Sequence, residues 1–62
     1  MNYETIRINF LRGLWTGAMV QVALRKGVIT TDQYKDILAS GVAEERITAA
    51  QYQSLTGEAY TA

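Results

Sequence analysis

Asp32 and Asp36 lie four residues apart with Lys35 between them, a spacing that puts both carboxylates on one helix face. Two carboxylates on one face could serve acid–base chemistry or hold a cation. Asp32, however, falls in the first turn of its helix, where an anion is favoured by the macrodipole. The pair therefore reads as charged helix surface. Glu44 and Glu45 precede a helix cap and read the same way. Ser40 and Ser54 have no base near them in sequence, and a serine nucleophile needs one. The chain has no His and no Cys, so only carboxylates remain as metal ligands, and disulfides are excluded. "RGLWTGAM" has two glycines but no Lys-Ser/Thr and no preceding strand, so it is not a phosphate loop. No enzymatic activity, no cofactor and no metal are expected.

Nucleic acid is the next class to weigh, because short helices joined by glycine turns suggest a helix-turn-helix. A reading helix presents Arg, Lys, Asn or Gln to base edges, with basic flanks for phosphates. The helix from Thr31 carries Asp32, Lys35 and Asp36. The helix from Ala49 carries Gln51, Gln53 and Ser54 and no basic residue. Only Arg7, Arg12, Arg25 and Lys26 could help. Net charge is zero, but it is segregated. Up to Gly27 those four cations stand against Glu4. From Val28 on, Lys35 and Arg46 stand against Asp32, Asp36, Glu44, Glu45 and Glu58. Such asymmetry suits nucleic-acid binding, head-to-tail contact or plain solvated faces, and solvated faces need the fewest assumptions.

The elements that carry these residues are announced by their helix starts. "VITTDQY" and "RITAAQY" share Ile-Thr-x-x-Gln-Tyr. Thr30 and Thr48 fit N-caps, with Gln33 and Gln51 three residues on, which is the capping box. Ile29 with Tyr34, and Ile47 with Tyr52, have the N′ to N4 spacing of a hydrophobic staple. "LWTGAM" is a degenerate third copy. Trp15 stands at N′, Thr16 at the cap and Val20 at N4, but Met19 replaces the Gln, and Gly17 weakens the first turn. Gly27, Gly41 and Gly57 fall where helices would stop. The three starts are spaced fourteen and then eighteen residues apart, with the additional residues assigned to a surface loop in "SGVAEER".

Ahead of these units, Ile6 and Phe10 extend to Leu14, and Ile8 and Leu11 extend to Trp15, as two helical stripes. A helix is expected from Tyr3 to Arg12. "TIRINF" alternates like a strand but has no second strand to pair with. The first two helices either form one long kinked helix through Gly13 to Lys26, or the chain bends at Gly13 and covers itself. In the continuous form the apolar surface exceeds what two short helices can cover, and the surplus would be a subunit interface. The expected fold is one all-α domain, residues 1–62, of three to four short helices with glycine turns and Thr-capped starts. At 62 residues such a chain buries only about 60% of its surface and gains from a partner. Phe10, Leu14, Trp15, Met19 and Val22 are the expected partner-binding residues. Trp15 leads them, because Ile suffices at N′ in the other two units. Tyr60 lies in a tail that frays unless it docks. No apolar run reaches the ~20 residues of a membrane span, and "MNYETIRINF" lacks the features of a signal peptide.

"RGLWTGAMVQVALRKGVITTDQYKDIL" and "ITAAQYQSLTGEAYTA" resemble the XkdX-like proteins, short chains encoded among the tail genes of phages and defective prophages. Gly13-Leu14-Trp15-Thr16 matches the family's Gly-Leu-Tyr/Trp-Thr. Lys26-Gly27, Ile29-Thr30 and Gln33-Tyr34 match its second element. Leu55-Thr56-Gly57 with Tyr60 matches its ending. The chain departs in having two Ile-Thr-x-x-Gln-Tyr units, and in Ala18-Met19 where a polar Glu-Gln is usual. The resemblance implies a non-enzymatic structural or assembly protein at a tail, baseplate or tail fibre. Such a protein would pack against itself as a homo-oligomer or against a larger virion protein, in the virion or in the cytoplasm of the bacterial host. It implies no binding residues. A small helical nucleic-acid-binding regulator and a free-standing modulator of a host protein are the alternatives.

Overall fold

Two of the four helix starts carry a full capping box, and the other two carry a cap without the return bond. In the computed structural model, which describes residues 2–60, Thr30 and Thr48 each accept a hydrogen bond from the N3 amide, 3.2 Å from Gln33 and 3.1 Å from Gln51. The two Gln side chains return the bond to the cap amides at 3.0 and 2.8 Å. Thr16 accepts from the Met19 amide at 3.2 Å, with no return bond. Asn2 caps the first helix through the Thr5 amide at 2.9 Å, outside the Ile-Thr-x-x-Gln-Tyr pattern. These caps open α1 (Tyr3–Leu11), α2 (Gly17–Arg25), α3 (Thr31–Ala43) and α4 (Ala49–Thr56). No strand occurs among the described residues, and "TIRINF" is helical.

The helix ends are as uniform as the starts. Residues 13, 27 and 45 all take positive φ, at 81°, 75° and 60°. At each, two backbone bonds close the helix. Gly13 and Leu14 donate to Phe10 and Asn9; Gly27 and Val28 donate to Leu24 and Ala23; Glu45 and Arg46 donate to Val42 and Gly41. This is the Schellman arrangement, which satisfies carbonyls the helix leaves open. The three interhelix connectors are therefore one object used three times: a left-handed residue, a spacer, an apolar residue, then Thr. They read Gly13-Leu14-Trp15-Thr16, Gly27-Val28-Ile29-Thr30 and Glu45-Arg46-Ile47-Thr48.

Two expectations are corrected here. Gly41 does not end a helix. It lies inside α3, and the stop belongs to Glu45. The additional residues of the longer spacing are not loop either, because α3 has 13 residues where α2 has 9. The unit is longer by one helical turn. Glu45 thus holds a conformation that costs a side-chain-bearing residue roughly 1–2 kcal/mol. Glu45→Gly should raise stability by about 0.5–1 kcal/mol, once the greater freedom of glycine in the unfolded chain is set against it. A denaturant titration reads this directly, and an unchanged or lower midpoint would contradict it.

Of the two arrangements open for the first helices, the chain takes the bend. α1 ends at Leu11, Gly13 turns the backbone, and α2 starts afresh at Gly17. α1 and α4 then flank the α2–α3 pair, each packing against both of its members but not against the other. The core holds Ile6, Phe10, Val20, Ala23, Ile29, Tyr34, Ile37, Leu38 and Tyr52. Staple residues make up much of it. Ile29 and Tyr34 are both buried, as are Val20 and Tyr52, while Trp15 and Ile47 are partly buried against them. Two glycines let helices approach closely. A Cβ on Gly17 would stand 2.6 Å from Leu55 Cδ1, and one on Gly41 would stand 2.4 Å from Phe10 Cε2. Gly17 thus weakens its own helix start and in return admits α4. The tail after α4 docks, as Tyr60 meets Tyr52 edge-to-face at 5.3 Å and 76°.

Candidate interaction surface

Of the polar groups that could make a reactive site, Lys35 and Asp36 are engaged with other parts of the chain. Lys35 reaches across to Glu58 on the tail, 2.7 Å away, rather than to its helix neighbours. That hydrogen bond holds its ammonium above the ordinary range. The pair faces solvent and contributes little to stability. Asp36 accepts a hydrogen bond from the Tyr3 hydroxyl, which ties the start of α1 to α3. The bond to this carboxylate is the main reason the Tyr3 phenol is pushed up, with burial a smaller one. Among the described residues no three His, Cys, Asp or Glu side chains gather as a metal site. No buried side-chain oxygen or nitrogen among them lacks a partner.

Tyr34 is a buried core residue whose hydroxyl makes a long-range bond. Its hydroxyl donates to the Leu55 carbonyl at 2.9 Å and locks α3 to the end of α4. Burial pushes its phenol above the ordinary 10.0, while the nearby Arg25 guanidinium pulls it down. A raised folded-state value means that the neutral phenol is the form the fold prefers. Its contribution is fully present below the unfolded value, about pH 10, and is lost as pH climbs through the folded one. Tyr34→Phe should therefore flatten the loss of stability above pH 10, while costing about 1 kcal/mol at neutral pH for the lost bond. Urea titrations of both proteins at pH 7 and pH 11 test this, and parallel pH profiles would count against it.

What the surface offers is apolar. The exposed large hydrophobic residues among those described are Ile8, Leu14, Met19, Val22 and Val28. All precede α3. Met19 and Val22 lie one turn apart on α2, and Leu14 and Val28 sit at the spacer position of the first two connectors. Beside them is a groove of about 210 Å³, lined by Ile6, Trp15, Val22, Ala23, Lys26 and Val28. Its walls come from α1, α2 and both connectors. The bend at Gly13 brings Trp15 over α1, and the second Schellman turn folds Val28 back beside Ala23. The groove is smaller than the roughly 300–1,000 Å³ of small-molecule sites.

The structure divides the five residues expected to bind a partner. Leu14, Met19 and Val22 are exposed, Leu14 at 67%. Trp15 is partly buried against the core, with part of its surface in the groove. Phe10, at 2% exposure, lies in the core against Gly41 and presents little surface to a partner in the folded chain. Val28 was missed. It is the spacer of a connector, a position where Arg46 serves equally well, so an apolar residue there has no task in the turn itself.

The family model described as phage uncharacterised protein, XkdX, matches residues 3–39. The chain belongs to the XkdX family. The matched segment runs from α1 through most of α3 and contains every groove residue. The third connector and α4, which carry the second Ile-Thr-x-x-Gln-Tyr unit, lie beyond it. No curated protein and no solved structure matches the chain. No helix among the described residues is long and apolar enough to cross a membrane.

Proposed function

We propose that this XkdX-family chain is a non-enzymatic structural or assembly protein of the phage particle. It attaches to a tail, baseplate or tail-fibre component through the apolar surface at Leu14, Trp15, Met19, Val22 and Val28. The observation that carries this reading is the uneven exposure of large hydrophobic side chains. They are confined to the first two helices and their connectors, while α3 and α4 bury theirs. Large apolar side chains left exposed along one half of a small chain are the kind of feature that a partner covers. The resemblance to chains encoded among tail genes points to where that partner is found. Adsorption or assembly by packing needs neither a metal nor a reactive side chain.

Mass spectrometry of purified particles tests the location. The protein should be present, and it should be lost from particles when Val22→Glu is introduced into a chain that still folds. Absence of the unaltered protein from particles would remove the structural role. Retention of the Val22→Glu protein at full level would leave the location standing but move the attachment to another surface.

A further inference from the structure

The α2 groove fits one side chain of a partner, and its rim says what should surround that side chain. Its only charged lining residue is Lys26, and Arg25 precedes it in the last turn of α2. No carboxylate lines the groove. Two cations at the C-terminal end of a helix are already favoured by the helix dipole. Among the described residues the one ion pair is Lys35 with Glu58, so neither cation is paired with a carboxylate there. A plug entering this groove meets apolar walls first and positive charge at the edge.

A second copy of the chain fits poorly by either route. Face to face, a symmetric pair would set Arg25 and Lys26 of one copy near those of the other, with no carboxylate in the groove to compensate. Head to tail, the net-acidic half would have to supply the plug for its charge to match the rim, since the exposed Ile8, Leu14 and Met19 lie in the net-basic half. Among the described residues, however, α3, α4 and the connector between them expose no large hydrophobic side chain. The charges of that half would suit the rim, but it has no anchor to insert. A different protein can bring anchor and acid together on one face.

We infer that the groove between α1, α2 and the second connector receives an acidic amphipathic helix of another protein. That helix inserts one aliphatic or aromatic side chain between Trp15, Val22 and Val28 and sets Asp or Glu against Arg25 and Lys26. The inference rests on the attachment proposed above and specifies the partner's chemistry. The binding mode is a helix laid along an apolar groove, with charge deciding which helix is accepted.

The test uses two synthetic helical peptides that share the same leucine stripe. One has Glu at the flanking positions and the other has Lys. Trp15 fluorescence gives affinity, and amide chemical shifts give the site. The Glu peptide should bind about tenfold or more tighter at low salt, and the advantage should shrink as ionic strength rises. Shifts should centre on Trp15, Val22 and Val28. In the double variant Arg25→Glu/Lys26→Glu the preference should reverse in favour of the Lys peptide, with the fold unchanged by circular dichroism. Equal affinity for the two peptides, binding of neither, or shifts centred on α4 would overturn the inference. Sedimentation showing a dimer that Val22→Glu dissolves would also overturn it, in favour of a second copy. These outcomes are independent of particle composition. A charge-selective groove in a protein absent from particles would sink the virion role and leave the groove's chemistry intact. A protein found in particles with an unselective groove would do the reverse.

Discussion

Gly41→Ala will destabilise this protein by about 2 kcal/mol, although it places the best helix former in the interior of a helix. At an exposed site the same exchange stabilises by about 1 kcal/mol. Here the new methyl carbon would stand 2.4 Å from Phe10 Cε2, 2.9 Å from Cζ and 3.4 Å from Ile47 Cγ1. The first two distances are shorter than such carbons can tolerate. The ring that would have to yield is 2% exposed, enclosed by α1 and α3. Forcing a methyl into such packing costs about 1–3 kcal/mol, and the upper end applies when a rigid ring is struck edge-on. A net loss of that size lowers the melting temperature of so small a domain by about 8–16 °C. Phe10→Leu in the same chain should return part of it, since the shorter side chain vacates the space. A double-mutant cycle should then show coupling of about 1 kcal/mol or more. A melting temperature at or above that of the parent would mean that the helices separate easily here.

Phe10→Ala will have the larger effect, about 3–5 kcal/mol. For a chain of this length that is comparable to the whole stability, about 3–9 kcal/mol. The variant should be largely unfolded at 25 °C by circular dichroism. The ring fills the junction where α1, the middle of α3 and Ile47 of the third connector meet, so its removal leaves a void that no single helix can close. Leu14→Ala supplies the contrast. Leu14 is 67% exposed, and its loss should change stability by no more than about 0.5 kcal/mol. Both residues lie on one i, i+4 stripe of the sequence. A folded Phe10→Ala protein, or an unfolded Leu14→Ala protein, would show that the assignment of inside and outside is inverted.

That stripe marks the limit of what the sequence makes legible. Features closed within a few residues can be read directly. Both capping boxes, the staple residues Ile29, Tyr34, Ile47 and Tyr52, and the turn at Gly27 depend on neighbours in the chain, and each is where its local logic puts it, whereas the bend at Gly13 is one of two arrangements the sequence leaves open. Ile6, Phe10 and Leu14 have the same spacing as one another. Only the bend at Gly13 decides that the first two go in and the third comes out. Glycine is ambiguous for a similar reason. It serves a left-handed turn at position 27 and a close approach at position 41, and what it must accommodate at 41 is a ring 31 residues away. Glu45 hides the third stop because its residue type does not announce positive φ. A signal was nonetheless available, since Gly13, Gly27 and Glu45 each stand three residues before a capping Thr. Of the candidate surface, Leu14, Met19 and Val22 were legible as apolar residues beyond what a short bundle needs. Val28 and the groove were not, because they exist only once two connectors fold back beside α2.

The shared backbone of the three connectors also bears on how quickly the chain can reach this structure. Every hydrogen bond that ends one helix or starts the next spans six residues or fewer. Helix boundaries and the direction of each turn can therefore be set locally, before any distant residues have met. The remaining search is the docking of preformed segments, with short loops to close and little entropy to lose in closing them. Helical domains organised in this way fold in microseconds to milliseconds, which limits the time a nascent chain exposes Ile6, Phe10 and Leu38 to aggregation.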